Sequence, residues 1–346
     1  MRTSLLAMVA VLAAAAAEAD ELNALVWCDH TDDALIEPFE EANGVTVNLK
    51  EYEGTGAALS IIEQSQPGDW DVLVIDGIDV PRAVAAGILA PLPEEALPTG
   101  DLFPELVMAE NHVVDGKTYA ISEKFGYNTI SYNKAKVDPA DMTDMSIIWS
   151  DKYAGRIAIY DYYLPVMGMV AVGLGKETAS LSEDDLPAIK DKLFAMKKSA
   201  KSVGEVVASQ TAIATGEVDI LVGGGEWVTA ALTSELPDLD WVLPEQGAVR
   251  WSQSIGVFAD SEKQDLALKF VQHVLSPEGQ AALATSSCYW AMPANTKAGA
   301  VLTDAQKAAL RWDEQAEYLK RAQLYPAPSA ELDRAMQDAW TEMLQQ

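Results

Sequence analysis

Apolar and polar residues follow one another along the first part of the chain in a pattern that predicts strands and helices in turn. Residues 22–27 and 45–52 have the composition of strands, and the segment 32–43 between them carries apolar residues at helical spacing. The next strand is predicted at 69–76, an apolar run bounded by carboxylates, and a helix is predicted at 80–86. Alternation of this kind predicts an α/β fold with a parallel sheet and helices on both faces.

The alternation resumes later in the chain. The pattern predicts strands at 126–137 and 155–161, a helix at 164–175, a strand, turn and helix within 218–232, and a strong helix at 264–275. No flexible glycine- or serine-rich linker separates the two halves. We therefore expect two α/β lobes that several strands cross.

The N-terminus has the pattern of a secretory signal. Arg2 supplies a positive charge, residues 5–17 are apolar, and residues 17–19 form a small-x-small cleavage site before Asp20. This pattern predicts cleavage after residue 19 and export to the periplasm. No later segment has the run of apolar residues that a membrane-spanning helix requires.

The 346-residue chain has 24 basic and 53 acidic residues, a formal net charge of −29. This charge argues against nucleic acid and anionic lipid as partners, and it fits either a cationic ligand or a protein kept soluble by its charge. Cys28 and Cys288 are the only cysteines. In an exported protein such a pair suggests a disulfide, but two free buried thiols fit the sequence about as well.

Sequence signatures of catalysis are scarce. The chain has no GxSxG, HExxH or GxxxxGK[ST] motif, and no GxGxxG follows a strand, so we predict no cofactor and no metal site. Cys28 and His30, which follow the first strand, are a nucleophile–base pair that a secreted enzyme would use. The sequence offers no third residue to orient them, and such an enzyme is the competing hypothesis.

Several motifs, in their order and spacing, resemble those of a known family. They are "VWCDHTDDALIEPFEEANGVTV" after the signal, "WDVLVID", the presumed hinge strand "AVRWSQSIGVFA", and "ALKFVQHVLSPEGQAALA" followed by "CYWAMPANTKA". Over nearly all of its exported part, the chain resembles the periplasmic substrate-binding proteins of ABC importers, specifically the spermidine/putrescine-binding type.

The resemblance implies a two-lobe periplasmic binding protein fold, type II-like, in which each lobe is a sheet flanked by helices and the ligand is sealed between the lobes. The expected division is a signal peptide at 1–19, a first lobe of 20–126 plus 252–297, and a second lobe of 127–251 plus 298–346. The implied function is that of a monomeric, non-enzymatic receptor that delivers a small amine-containing solute to an ABC transporter permease.

The resemblance also implies a set of ligand-binding residues, because the carboxyl ends of parallel strands face the cleft. Alkyl-ammonium ligands need aromatic faces and carboxylates. The expected ligand-binding residues are Trp27, Asp29, His30, Asp76, Asp161, Trp251, Gln253 and Trp290. The family alignment places Cys28 and Cys288 in the same lobe, so a disulfide would hold the loops that carry Trp27 and Trp290.

The chain departs from the family at positions that decide the ligand. Gln253 and Leu164 stand where the family has acidic residues, and Gly223 stands where it has an aromatic one. These changes predict a solute with fewer positive charges than spermidine. Arg250 and Lys124 lie close to segments of the cleft, and this leaves a zwitterion or another small organic ion as the alternative.

Fe(III) is a further alternative ligand. An iron-binding relative would need pairs of tyrosines, and "YDYY" at 160–163 supplies candidates. Phenols in a turn from strand to helix are more common as packing groups, so we expect packing there.

Overall fold

The computed structural model describes residues 20–346, so the predicted signal peptide at 1–19 lies outside the described residues. The strands, in chain order, are β1 (Asp20–Val26), β2 (Val45–Glu51), β3 (Val72–Asp76), β4 (Val113–Val114), β5 (Lys117–Thr118), β6 (Ile121–Asn133), β7 (Ile157–Tyr160), β8 (Ala200–Gly204), β9 (Ile220–Gly224), β10 (Leu239–Val242), β11 (Ala248–Val257), β12 (Met292–Pro293) and β13 (Ala322–Leu324).

The helices, in chain order, are α1 (Asp33–Asn43), α2 (Thr55–Gln64), α3 (Val80–Ala85), α4 (Ala109–His112), α5 (Tyr163–Gly173), α6 (Leu186–Ser199), α7 (Val206–Ala214), α8 (Glu226–Thr229), α9 (Gln264–Val274), α10 (Pro277–Ala284), α11 (Asp304–Leu310), α12 (Gln315–Arg321) and α13 (Ala330–Leu344). Short 3₁₀ turns occur between many of these elements. Within residues 20–346, no helix has the length and apolar character needed to cross a membrane.

The uninterrupted apolar runs form strands because both faces of the sheet are covered. In β1, Val26 packs into the core on one face of the sheet and Leu25 packs on the other. In β3, Val74 and Leu73 divide between the same two cores. Successive side chains of a strand point to opposite faces, so a strand buried on both sides needs apolar residues throughout.

One ladder of strands runs in the order β2-β1-β3-β11-β6-β9-β7-β8. At one end β2, β1 and β3 are parallel, and at the other end β9, β7 and β8 are parallel. Between them β11 and β6 are antiparallel to each other and to their outer neighbours β3 and β9. The sheet is therefore mixed, which corrects the expectation of a parallel sheet. The reason is that the chain passes from one half to the other on β6 and returns on β11.

The two crossing strands are long because each of them pairs in both halves. Residues 121–128 of β6 pair with β11, and residues 129–133 pair with β9 or β10. Strand β11 pairs with β13 at its start and with β3 over residues 253–257. Strand β6 accordingly begins at Ile121, earlier than the predicted 126. These crossing strands confirm the expected two-lobe α/β fold.

Separate groups of buried side chains fill the two halves. One group joins β7 and β9 with α5, α6 and α13, and another joins β1 and β3 with α1 and α9. Leu310 and Leu319 belong to the group around β1 and β3, whereas Met336 and Trp340 belong to the group around β7. We therefore propose that the last segment of the second lobe starts near residue 325 rather than at 298, and the other lobe boundaries stay predictions.

Candidate functional site

A cavity of about 410 Å³ lies where the two halves face each other. The residues that line it are Trp27, Cys28, Glu51, Tyr52, Glu53, Gly54, Asp76, Asn128, Tyr160, Tyr162, Val206, Val207, Gln210, Trp227, Trp251, Cys288, Tyr289 and Tyr325. The lining contains eight aromatic side chains and three carboxylates. Across the part of the chain that the structure describes, no Lys, Arg or His side chain is among the lining residues.

The carboxyl ends of strands in both halves supply much of the lining. Trp27 directly follows β1, and Tyr52 directly follows β2. Asp76 is the last residue of β3, and Tyr160 is the last residue of β7. At these ends the chain turns away from the sheet and leaves a crevice in which α/β proteins bind ligands. The cavity therefore lies where the alternation of strands and helices predicts a cleft.

The aromatic side chains of the lining pack against one another. The pairs are Trp27 with Tyr52, Tyr160 with Trp227, Tyr162 with Tyr325 and Trp251 with Tyr289, at ring-centroid distances of 6.2, 5.3, 6.0 and 6.1 Å respectively. Tilted and edge-to-face pairs of this kind contribute about 0.5–1.5 kcal/mol beyond the burial of their surface. The rings therefore support one another as walls of the cavity.

Two glycines let aromatic rings lie close to the backbone. A Cβ at Gly126 would lie 2.3 Å from Cζ2 of Trp251, so only glycine admits the indole at this crossing of β6 and β11. Gly223 has a φ of 87°, and a Cβ there would lie 2.8 Å from the Cβ of Tyr160. The departure from the family at Gly223 thus leaves room for Tyr160, which supplies an aromatic ring to the cavity from the neighbouring strand.

Asp76 is the buried carboxylate of the lining. Its side chain is 6% exposed, and burial, with a smaller contribution from the neighbouring Asp79, raises its pKa to about 8. Within the described residues, no basic side chain forms an ion pair with Asp76. Glu51 and Glu53 are exposed at the mouth of the cavity, where water solvates them. A cation that enters the cavity would therefore find its strongest counter-charge at Asp76.

The structure corrects the expected position of Asp29. The side chain is fully buried in the turn after β1 and is not part of the cavity lining. Its Oδ2 lies 2.8 Å from Nζ of Lys124, and its Oδ1 lies 3.0 Å from Nδ1 of His30. Burial alone would raise the pKa of Asp29, but Lys124 and His30 outweigh it and hold the pKa well below its usual range. Asp29 is thus neutralised by Lys124 and His30 and requires no cation from a ligand.

His30 is also fully buried and outside the cavity lining, which corrects its expected role. Its Nε2 lies 2.8 Å from Oε1 of Glu123, so the imidazole bridges Glu123 and Asp29. Burial alone would lower the pKa of His30, but the two carboxylates raise it to about 10. We call Asp29, His30, Glu123 and Lys124 the buried charge cluster. A protonated imidazole held in this cluster has no lone pair with which to act as a base.

Gln253, Trp290 and Asp161 also lie outside the cavity lining. Gln253 is fully buried, and its Nε2 donates to the hydroxyl of Tyr289 at 2.5 Å. Trp290 packs against the core around β1 and β3, because its neighbour Tyr289 takes the position that faces the cavity. Asp161 is exposed and accepts a hydrogen bond from Nε1 of Trp340 at 2.9 Å. From the expected set, the structure brings together at the cavity Trp27, Asp76 and Trp251.

Lys124 and Arg250 are both engaged by groups of the protein and are not among the lining residues. Lys124 is fully buried, pairs with Asp29, and places its Nζ 4.1 Å from the ring centroid of Tyr289. Arg250 is 5% exposed and donates from Nη1 to the carbonyl of Glu105 at 3.0 Å. Both cations therefore make their observed contacts within the protein.

The structure joins Cys28 and Cys288 in a disulfide, with the Cα atoms 6.0 Å apart. Both residues line the cavity, and each is adjacent in sequence to an aromatic residue of the lining, Trp27 and Tyr289. The bridge ties the turn after β1 to the segment before β12, so it limits the movement of these two aromatic side chains relative to each other. The part of the chain that the structure describes contains no free cysteine, so the thiol that the competing enzyme hypothesis requires is absent.

Several lining residues were not expected from the sequence. Tyr52 and Tyr160 stand at the ends of strands, so the argument that selects Asp76 would also have selected them. Gln210 comes from α7 and Tyr325 from the segment after β13, and neither lies in a motif that points to the cleft. Their place in the lining follows from how distant segments pack, which local sequence patterns do not encode.

Two α/β halves joined by crossing strands around one cleft define a two-lobe substrate-binding protein. The chain belongs to the bacterial extracellular solute-binding protein family, whose sequence model matches residues 34–310. Over 275 residues it is 24% identical to the spermidine/putrescine-binding periplasmic protein of Escherichia coli (strain K12), and the match covers 77% of each chain. These matches confirm the resemblance that the sequence motifs indicate.

Solved structures show the same fold. The spermidine/putrescine substrate-binding protein PotD of Streptococcus pneumoniae matches with a TM-score of 0.79 at 19% identity, over 94% of this chain and 99% of that one. The GABA receptor Atu4243 matches with a TM-score of 0.73 at 18% identity, over 94% of this chain and 97% of that one. Family and fold are those of solute-binding proteins of transporters rather than of enzymes, and they agree with the predicted periplasmic location.

Proposed function

We propose that this protein is the receptor of an ABC importer, and that it captures a small organic cation in the cleft and delivers it to the membrane permease. The observation that carries the proposal is Asp76, a buried carboxylate without a basic partner, in a cavity whose lining contains no basic side chain. The name of the Escherichia coli relative, a spermidine/putrescine-binding protein, supports an amine-containing solute.

The charges around the cavity favour a cation over an anion. A carboxylate or phosphonate ligand is best held by a basic side chain, whereas Lys124 and Arg250 are committed to partners of their own. Among the described residues, the lining offers such a ligand two unpaired indole N–H groups, those of Trp27 and Trp227. An anionic ligand would also keep Asp76 protonated, because two negative charges in a buried site repel each other. An ammonium group reverses both effects, because it pairs with Asp76 and is attracted by the faces of the surrounding rings.

The distribution of carboxylates points to one buried positive charge on the ligand. Asp76 is buried, whereas Glu51 and Glu53 are exposed at the mouth. A second or third ammonium in the cavity would lose its hydration without gaining a desolvated counter-charge, at a cost of several kcal/mol, on the order of the penalty for an unpaired buried ion. A ligand with fewer charges than spermidine therefore fits this lining best, and any further charge belongs at the mouth.

The lining gives less support to Fe(III) as the ligand. Tyr160 and Tyr162 line the cavity, but burial raises the pKa of each phenol above its ordinary value. Iron binding needs the deprotonated phenolate, so this environment opposes it. Within residues 20–346, no group of His, Cys, Asp and Glu side chains is arranged to hold a metal ion.

A thermal-shift series with the purified protein tests the proposal. The ligands to compare are small monoamines, diamines, zwitterionic amino acids and organic acids. We expect the organic cations to raise the unfolding temperature, since a ligand at about 100 times its dissociation constant adds about 2.7 kcal/mol to the stability. Stabilisation by organic acids alone would overturn the proposal.

A pair of matched variants tests whether Asp76 is the counter-charge of the bound cation. In Asp76→Asn we expect the affinity for the best cation to fall by about 100-fold, because a charge-assisted contact in a desolvated site is lost. Asp161→Asn makes the same change at the end of β7, where the side chain is exposed and outside the lining, and should leave the affinity within about twofold. Equal affinities of the two variants would show that Asp76 is not the counter-charge.

A further inference from the structure

We propose that the cleft selects an ammonium group that carries methyl groups in place of N–H donors, as choline does, over a primary amine of the same size. This inference deepens the cation-binding function proposed above and rests on it. The structural basis is a lining rich in aromatic side chains, in which one carboxylate is buried.

The aromatic faces come from both lobes and from the crossing strands. The lining includes three indoles, from Trp27, Trp227 and Trp251, and five phenol rings. Indole is the strongest aromatic partner for a cation, and recognition of methylated ammonium groups by several rings at once is a general use of such an arrangement. Trp27 and Trp251 each pack against a tyrosine of the lining, Trp27 against Tyr52 and Trp251 against Tyr289.

Three of the five tyrosine hydroxyls of the lining are already engaged by the protein. The Tyr52 hydroxyl donates to the carbonyl of Val74, and the Tyr325 hydroxyl donates to Oδ1 of Asn128 at 2.5 Å. The Tyr289 hydroxyl accepts from Gln253. These bonds hold the three tyrosine rings in place and engage their hydroxyls within the protein.

The amide groups of the lining are engaged in the same way. Nδ2 of Asn128 donates to the carbonyl of Gly223 at 2.8 Å, and Nε2 of Gln210 donates to the carbonyl of Trp227 at 3.3 Å. The groups left for a buried ligand among the described residues include the carboxyl of Asp76, the hydroxyls of Tyr160 and Tyr162, Oε1 of Gln210 and the unpaired indole N–H groups of Trp27 and Trp227.

The two kinds of ammonium group differ in what they need from this lining. A primary ammonium has three N–H donors, and each donor left unpaired in a desolvated site weakens binding. Pairing all three takes several acceptors placed around one nitrogen. A quaternary ammonium has no donor to satisfy, keeps its charge for Asp76, and is attracted by the faces of the rings around it.

Isothermal titration calorimetry with matched ligands tests the inference. Choline and ethanolamine share a skeleton and a charge and differ only in the methyl groups on nitrogen, and butyltrimethylammonium and butylamine form a second such pair. We expect the methylated member of at least one pair to bind at least about tenfold more tightly than its primary counterpart. Putrescine serves as the reference diamine.

The outcomes separate this inference from the function on which it rests. The inference is wrong if the primary amine of each pair binds as well as its methylated counterpart. It is also wrong if putrescine binds more tightly than both methylated ligands, or if no methylated ligand binds. None of these results would contradict the proposal that the protein is a receptor for a cation. If only anions bind, both are wrong. As a second readout, Trp27→Leu should weaken binding of the methylated ligand by a larger factor than binding of the primary amine, whereas Trp70→Leu, outside the lining, should leave their ratio unchanged.

Discussion

Asp29 and Asp76 lie at the carboxyl ends of neighbouring parallel strands, β1 and β3, and both side chains are buried, yet their surroundings are opposite. Asp29 lies between Lys124 and His30, and these cations hold its pKa well below the usual range despite burial. Asp76 has no such partner, and burial raises its pKa to about 8. Asp29 is therefore neutralised by cations of the protein itself, whereas Asp76 lacks a cationic partner among the described residues, and we propose that the ligand supplies it.

The two regions also differ in how the chain is held. The turn that carries Asp29 is closed by the buried charge cluster and by the Cys28–Cys288 disulfide. Asp76 ends its strand at the cavity, and its carboxylate makes no ion pair with the described basic side chains. We propose that the turn after β1 holds Trp27 and Tyr289 in place. Asp76 is the group whose ionised form the ligand stabilises.

The largest effect is expected from breaking the internal cluster. Asp29→Asn removes the carboxylate that neutralises Lys124 and His30 and leaves buried positive charge without compensation. We expect the free energy of unfolding to fall by about 3–5 kcal/mol, measured by urea denaturation of the ligand-free protein. Asp161→Asn is the control, with an expected change within about 1 kcal/mol. A loss at Asp29 no larger than at Asp161 would show that the cluster does not stabilise the fold.

A somewhat smaller effect is expected from opening the disulfide. Replacing both Cys28 and Cys288 by serine frees two segments that are 260 residues apart in sequence. We expect a loss of about 2–5 kcal/mol in the free energy of unfolding, together with weaker ligand binding, because Trp27 and Tyr289 lose their common anchor. Reduction of the wild-type protein should reproduce the loss. Unchanged affinity in the double variant would mean that the bridge stabilises the fold without organising the cleft.

The pH dependence of stability should distinguish Asp76 from Asp29. The folded-state pKa of Asp76, about 8, is above the ordinary value of 3.8 for an aspartate, so the folded protein binds the proton more tightly than the unfolded chain does. Stability of the ligand-free protein should therefore fall as the pH rises from about 4 to about 8.

Asp76→Asn removes this part of the pH dependence. The stability of the variant relative to wild type should rise by about 1 kcal/mol per pH unit between about pH 5 and pH 7, measured by urea denaturation. His30 contributes equally to both proteins and cancels in the difference. A constant difference over this range would contradict the assignment of a raised pKa to Asp76.

The fold could be predicted from the sequence to a large extent, and the reasons are local. In uninterrupted apolar runs such as β3 and amphipathic helices such as α9, a few consecutive residues are enough to predict which side chains are buried. The mixture of parallel and antiparallel strands was harder to predict from the sequence, because it arises where β6 and β11 pass between the lobes. No pattern within either strand shows which neighbours it will pair with at each end.

The candidate site was harder to predict, as Asp29 illustrates. Its position after β1 is as favourable for ligand contact as that of Asp76 after β3, and the residue that decides the matter is Lys124, which is 95 positions away. Tyr289 and Trp290 are adjacent, so the choice of which ring faces the cavity depends on the path of one short segment. Local sequence identifies the edge of the sheet where ligands bind, and tertiary packing selects the side chains that are free to bind them.

Proton release on ligand binding is the most direct test of whether Asp76 is the counter-charge of the bound cation. The measurement is calorimetry of the best organic cation near pH 7 in buffers with different ionisation enthalpies. Because the pKa of Asp76 is about 8 in the ligand-free protein, we predict that binding releases between about 0.5 and 1 proton, less at higher pH, and close to none in Asp76→Asn. Tight binding without proton release from the wild type, or with the same release from Asp76→Asn, would contradict the claim that the ligand completes the charge of Asp76.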